Sequence, residues 1–418
     1  MNKKNLITLV LTFSFSIIIF FLIYKRLVYP TVIPMIKNGL VYVFADWAAI
    51  INANICENKG FNVYNQNPCD LWGRKHVYGE ILLHLPLVEQ LNKFYQFYFP
   101  IIINIIFVFL VVSLFNYRKS LKNYFLVIFI FSLPVLLAIE RANSDILIFI
   151  ILYLVSKYRN LFSSHFLIII STLAKFYPIC LGVIFLFQKN IKTIFINIAT
   201  SILFLVLFLI FQYENLINIF NNSAQFSGSG VYQFSLNGLI SVIPEIQLNL
   251  FNYNFNWLAY ILIITLIVSP IILLRKVLKP SDENKNFLFE IINTNEFENR
   301  LYIVSSLVII FCYFTVSNFI YREIFFLGLI PWLLRNEDNK KNFLDLFFYF
   351  ICFKFLISTI LIYLIMSKFY IDFNYFMNLI KHIVDFYIVS ILLIILFFNI
   401  RNFFNKHFFS KKKLINEL

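Results

Sequence analysis

Residues able to do chemistry are few in this sequence, and they sit where such residues are expensive. Asp46, the run Glu140, Arg141, Ala142, Asn143, Ser144 and Asp145, Lys175, and the run Asn318, Tyr321, Arg322 and Glu323 all lie between or inside long apolar stretches. Ionisable groups at membrane depth mark a functional site by default. Lysine and arginine bind phosphate oxygens through charge-assisted hydrogen bonds, and a carboxylate within reach of a hydroxyl acts as a base. Acidic and basic groups converging in one cavity therefore suggest chemistry on a phosphate-bearing substrate.

The elements that must carry these residues follow from composition. Of 418 residues, 61% are hydrophobic and 13% charged, too apolar for soluble domains of that length. Stretches of about 20 mostly apolar residues, the length of a membrane helix, recur from Leu6–Ile23 to Phe376–Phe398. The expected class is an all-α polytopic membrane protein with one integral membrane domain over residues 1–418, which excludes a soluble enzyme. The formal charge of +14 comes in short clusters between apolar runs. It reads as membrane orientation and not as a nucleic-acid face.

Between the terminal spans, apolar segments run over Phe97–Phe115, Leu121–Ile139, Ile146–Ser156, Phe166–Phe187, Ile191–Phe211, Trp257–Leu274, Leu301–Val316, Ile324–Leu334 and Phe343–Met366. The polar stretch 30–93 is read as a first external loop. Inside it Trp47, Ile50, Ile51 and Ile55 share one helical face, predicting a short amphipathic helix on the membrane surface. Ile146–Ser156 and Ile324–Leu334 are too short for a straight crossing, and such helices line water-filled cavities.

Phe166–Phe187 decides the topology. As one helix it would turn Lys189, Lys192 and all later basic clusters outward. As two half-helices turning at Lys175 to Pro178 it keeps Arg275, Lys276, Arg335, Lys340, Lys341 and the basic tail 399–418 inside, as the positive-inside rule requires. The proline favours that break, since it lacks a backbone donor and disfavours helix just before it. The result is about 12 segments with both termini cytoplasmic, a cytoplasmic loop at 275–300 and a second external loop at 212–256 that contains no Lys or Arg. All the polar groups named above then face outward.

Plainer roles compete for each of them. Asp46 would cap a helix starting at Trp47, and Ser144 or Asp145 would cap the next segment. Glu140 and Arg141 would be an interfacial ion pair, and Arg322 would snorkel beside Tyr321 in the aromatic belt. Lys354, His84 and His382 read as snorkelling or structural. Lys175 resists such treatment, being about ten residues from either edge of its apolar stretch. Among five cysteines, Cys180, Cys312 and Cys352 fall in apolar segments, while Cys56 and Cys69 share a polar stretch where a disulfide is open to them. No metal-ligand spacing, dinucleotide or phosphate loop, or nucleophile elbow is present.

The stretches FADWAAIINANICENKGFNVY (Phe44 to Tyr64), ERANSDILIF (Glu140 to Phe149), LAKFYP (Leu173 to Pro178) and NFIYREIFFLGLIPWLL (Asn318 to Leu334) resemble, in the same order, the bacterial branch of the glycosyltransferase C superfamily akin to glycosyltransferase family 87. Those proteins are polyprenyl-phosphate-sugar-dependent membrane transferases, many of them mannosyltransferase-like. The resemblance implies a large first external loop whose acid is the catalytic base, here Asp46. Trp47 stands where some relatives carry a second acid, so a divalent metal gains no support, and no cofactor is expected. Ala142 stands where the family often has glycine.

On that reading an acceptor hydroxyl attacks the anomeric carbon and the lipid phosphate departs. Asp46 takes the proton, Lys175 and Arg322 with Arg141 hold the phosphate, and Glu140, Asn143, Asp145 and Tyr321 orient sugar or acceptor hydroxyls or hold the basic groups. A single displacement predicts inversion. The implied partners are the polyprenyl-phosphate sugar, a saccharide or lipid acceptor and membrane lipids, in a bacterial inner (plasma) membrane with the site facing outward. A transporter or flippase of lipid-linked saccharides would also need buried charges, but no internal repeat is evident. A saccharide polymerase or ligase would use arginines on an external loop, and the 212–256 loop has none.

Overall fold

The computed structural model describes residues 3–24, 36–37, 40–41, 43–115, 124–158, 160–187, 191–222, 233–242, 268, 272, 296–315, 320–334, 342–366 and 371–404. The helices are α1 (Lys3–Tyr24), α2 (Ala45–Asn58), α3 (Phe99–Leu114), α4 (Phe125–Ile130), α5 (Leu133–Arg141), α6 (Asp145–Lys157), α7 (Leu161–Ala174), α8 (Ile191–Asn222), α9 (Phe297–Thr315), α10 (Ile330–Leu334), α11 (Asn342–Met366) and α12 (Ile371–Phe404). Tyr177–Phe187 and Ile320–Leu329 are 3-10 helices. Two strands of two residues each, β1 (Ile36–Lys37) and β2 (Leu40–Val41), pair antiparallel.

Among the described residues five helices are long and apolar enough to cross a bilayer: Leu6–Tyr24, Phe94–Leu114, Lys192–Asn222, Phe297–Thr315 and Met377–Asn402. This is a helical membrane protein. The most apolar window of α9 is 72% buried and that of α8 only 17%, so α9 is the central post and α8 a peripheral helix. Leu203, Ile210 and Phe211 point outward from α8, which in lipid costs nothing and in water would be severe. Around α9 pack the 177–187 and 320–329 helices, α6 and α12. Gly328 lies so close to the Ser305 side chain that a methyl group has no room there.

Two apolar segments differ from the sequence reading. Leu121–Ile139 is not one helix, because the chain breaks at Phe131 and Ser132 and restarts with Pro134 in the first turn of α5. Proline is well placed there since its missing N–H is not needed. Ile191–Phe211 does not end at Gln212: α8 continues to Asn222, so the first part of the 212–256 loop is helical. Part of the remainder is buried, with Phe234 and Val242 inaccessible. Trp257–Leu274, the 275–300 loop and the 399–418 tail lie wholly or mostly outside the described residues.

The amphipathic helix exists as α2, but it is covered. Trp47, Ile50 and Ile51 are buried with Phe44, Leu82 and Ala142, and Trp47 stacks on Phe99 at 5.0 Å. The disulfide Cys56–Cys69 ties the end of α2 to the following loop. The half-helix hairpin is present: α7 ends at Ala174, Lys175 is extended, and the 3-10 helix begins at Tyr177.

Candidate functional site

The site is assembled where four chain ends meet: the start of α2, the turn from α5 to α6, the break after α7, and the start of the 320–329 helix. Phe44, not Asp46, holds the N-cap of α2, in a left-handed conformation at φ 59°. Its N–H donates to the Glu140 carbonyl at 2.8 Å, which docks α2 on the end of α5. Asp46 is thereby freed from capping. One of its oxygens accepts from Asn143 Nδ2 at 2.9 Å, and the other lies 3.6 Å from both Arg74 and Arg141. The side chain keeps 14% exposure.

Ala142 ends α5 in the left-handed region at φ 45°, a conformation that favours glycine. It turns the chain so that Asn143 Oδ1 accepts from the Asp145 N–H at 2.9 Å. Asn143 thus caps α6, and Ser144, at the N-cap position, makes no side-chain cap bond. Asp145 is fully buried. Lys175 Nζ and the Tyr177 hydroxyl both donate to one of its oxygens, the latter at 2.6 Å. The other oxygen faces Arg322 Nε at 3.6 Å. Lys175 also donates to Asn143 Oδ1 at 3.3 Å.

One continuous polar network therefore runs from Arg74 through Asp46, Asn143, Lys175 and Asp145 to Arg322. Glu140 lies beside Arg141, Oε2 to Nε at 3.1 Å, and Tyr321 is half-buried next to Arg322. Every expected site residue in the described chain is thus part of one cluster or adjoins it; Asn318 lies outside the described residues. Glu140, Asn143 and Asp145 are each at most 1% exposed. In the described structure they contact the basic residues Arg141, Lys175 and Arg322. Arg322 is less committed: its Nε finds no acceptor, and its guanidinium stacks on Tyr177 at 5.0 Å.

Sequence reasoning assigned no role to Tyr78 or Tyr177 and did not single out Asp70 or Arg74. Asp70 accepts from the Trp72 and Arg74 N–H groups and from the Arg74 side chain, and Arg74 reaches on to the Ala45 carbonyl at 2.9 Å. Burial works against the Arg74 charge, but Asp70 and Asp46 outweigh it and raise its pKa. Burial, with Asp46 nearby, raises the Tyr78 phenol, which packs its ring 5.3 Å from Lys175 Nζ. The signal available was the aspartate four residues before an arginine in a turn-forming stretch.

His84 is exposed beside Glu80, 3.6 Å away. Lys354 and His382 do not snorkel: both are fully buried, because Lys354 finds acidic partners inside the protein. Among the described residues no group of three or more His, Cys, Asp or Glu side chains is arranged to hold a metal ion. Compared with family models, curated proteins and solved structures, the chain matches none.

Proposed function

We propose that this protein is an integral membrane glycosyltransferase of the glycosyltransferase C type, with about 12 membrane segments, moving a sugar from a polyprenyl phosphate to an acceptor hydroxyl on the outer face. The observation that carries this reading is the unequal state of two carboxylates in one network. Asp145 is sealed and binds Lys175, Tyr177 and Arg322; Asp46 is partly open and is held by an amide and two arginines at longer range. A base must reach a substrate proton, and of the two only Asp46 is open to one.

Lys175 and Arg322, aligned by Asp145, supply positive charge for a departing phosphate in a site with little water, where such charge is most effective. Arg141 and Arg74 flank the base. The reaction breaks the bond from the anomeric carbon to the phosphate oxygen and forms one to the acceptor oxygen, whose proton passes to Asp46. The Cys56–Cys69 bond supports an oxidising side for the loop that carries Asp46.

The test is transfer of radiolabelled sugar from a panel of polyprenyl-phosphate sugars in membranes holding wild type or Asp46→Asn at matched levels. Loss of activity by about 100-fold or more is expected, the usual scale for a general base. Unchanged activity would remove Asp46 from catalysis, and retained anomeric configuration would overturn the single displacement. Absence of transfer with every donor would favour a transporter of lipid-linked saccharides.

A further inference from the structure

Four more charged side chains meet in the apolar interior, and the mechanism above does not use them. Glu323 comes from the 320–329 helix, Lys354 from α11, and Lys381 and Asp385 from α12; all four are fully buried. Lys354 Nζ donates to Glu323 Oε1 at 2.6 Å and also pairs with Asp385. Ser358 donates to Glu323 Oε2 at 3.0 Å. Lys381 Nζ lies 3.3 Å from Asp385 Oδ2 and donates to the Gln233 carbonyl at 2.6 Å. Two carboxylates face two ammonium groups, and the His382 ring lies 4.0 Å from Asp385.

Stability alone is a weak reason for such a cluster, since apolar residues of the same volume often serve at least as well. Its position offers a better one. Glu323 follows Arg322 directly, and on a 3-10 helix successive residues point about 120° apart. Arg322 can thus face the site while Glu323 faces the interior. A carboxylate beside an arginine is that arginine's nearest competitor for charge. Here Lys354 and Ser358 occupy both Glu323 oxygens. Arg322 keeps Asp145 at 3.6 Å, the Cys312 sulfur at 3.9 Å and the Tyr177 ring at 5.0 Å.

We propose that Glu323, Lys354, Lys381 and Asp385 are positioning residues: the quartet pins the 320–329 helix to α11 and α12 and keeps Glu323 away from Arg322, leaving the guanidinium for the phosphate of a polyprenyl phosphate. This rests on the reading that Arg322 meets that phosphate, and the test separates the two.

Polyprenyl monophosphate, a probe without sugar, is titrated into the full chain in lipid nanodiscs, after each variant is shown to be monodisperse with wild-type helix content. Arg322→Ala sets the scale, with affinity reduced about tenfold, the effect of losing one charge-assisted contact. Lys354→Met is expected to weaken binding by about tenfold as well, because Lys381, 3.8 Å from Glu323 and 3.3 Å from Asp385, cannot balance both carboxylates and the surplus charge on Glu323 draws on Arg322. The double variant Glu323→Gln with Lys354→Met removes the competitor and is expected to return to within about threefold of wild type. A merely structural quartet would also recover in the double variant, so the separating measurement is Lys354→Met in the Arg322→Ala background, where a positioning role predicts no further loss of affinity and a structural one a further loss of similar size. Ser358→Ala, a gentler change, is expected to cost about threefold. If Arg322→Ala weakens binding while Lys354→Met and Ser358→Ala bind as wild type, if the double variant shows no recovery, or if Lys354→Met costs as much again in the Arg322→Ala background, the quartet has no positioning role. If Lys354→Met does not fold, Ser358→Ala, alone and in the Arg322→Ala background, decides. If Arg322→Ala itself binds as wild type, the phosphate reading of Arg322 fails, and the quartet proposal with it.

Discussion

Asp46 and Asp145 have the same chemistry and opposite environments, so replacing each with its amide has opposite expected consequences. Asp145→Asn leaves Lys175 buried beside a neutral partner, and breaking a buried pair costs about 3–5 kcal/mol. Asp46→Asn meets partners at 3.6 Å with some exposure and is expected to change stability by less than about 1 kcal/mol. Thermal unfolding in detergent distinguishes the two: a large shift for Asp145→Asn and little for Asp46→Asn, whose loss should be confined to activity. His76 adds a pH prediction. Burial pushes its pKa from 6.5 down to about 4, so the unfolded chain takes up the proton first as pH falls. Stability is full above pH 6.5 and declines towards pH 4, by up to about 3 kcal/mol. Melting curves of wild type and His76→Gln recorded from pH 4 up to neutral pH should converge at the acid end and separate at the neutral end. At this scale the candidate residues were legible because charge is rare in apolar sequence. Their division into sealed and open groups was not, since Asp46 and Asp145 differ only in which distant side chains reach them.

The elements hold the site through a few backbone contacts, and these are open to test. Ala142 occupies the left-handed region, at a steric cost of roughly 1–2 kcal/mol that glycine avoids. Allowing for the greater freedom of glycine in the unfolded chain, Ala142→Gly is expected to raise stability by up to about 1 kcal/mol with the turn to Asn143 intact. Gly79 is the opposite case. Its N–H donates to the Ala174 carbonyl at 2.9 Å, and an added methyl would collide with the backbone of Leu173. Gly79→Ala should push the loop off the end of α7 and disturb Lys175, lowering both stability and transfer. Helical periodicity and proline made α2 and the hairpin break readable. The extension of α8 was not, because Gln212, Asn215 and Asn222 look like loop residues until their partners are known. Gln212 and Asn215 bind Glu80, and Asn222 binds the Tyr64 carbonyl.

Across the whole molecule these contacts constrain sidedness. Asn222 at the end of α8 joins Tyr64 and Lys75, so the loop bearing Asp46 and the end of α8 share a side. A helix of 32 residues is about 48 Å long, more than the roughly 30 Å hydrocarbon core, so α8 is long enough to carry Ile191 to the other side. Arg300, near the start of α9, donates to the Val155 and Tyr158 carbonyls at the end of α6, which pins that end of α6 to α9. With 13 residues, α6 is about 20 Å long, too short to span the core. Asp145 at its other end therefore fits a site sunk below the surface, where fixed charges act with little screening. Charge patterning in the sequence adds which side is outer, through the clusters expected to stay in the cytoplasm. Single cysteines settle the matter in a background with Cys180, Cys312 and Cys352 replaced by alanine. A membrane-impermeant maleimide on intact cells should label Lys59→Cys and Glu214→Cys alike, and Lys192→Cys only after permeabilisation. Labelling of Lys59→Cys without Glu214→Cys would contradict the fold, whereas the fully reversed pattern would keep the fold and turn the site to the cytoplasm, overturning transfer on the outer face.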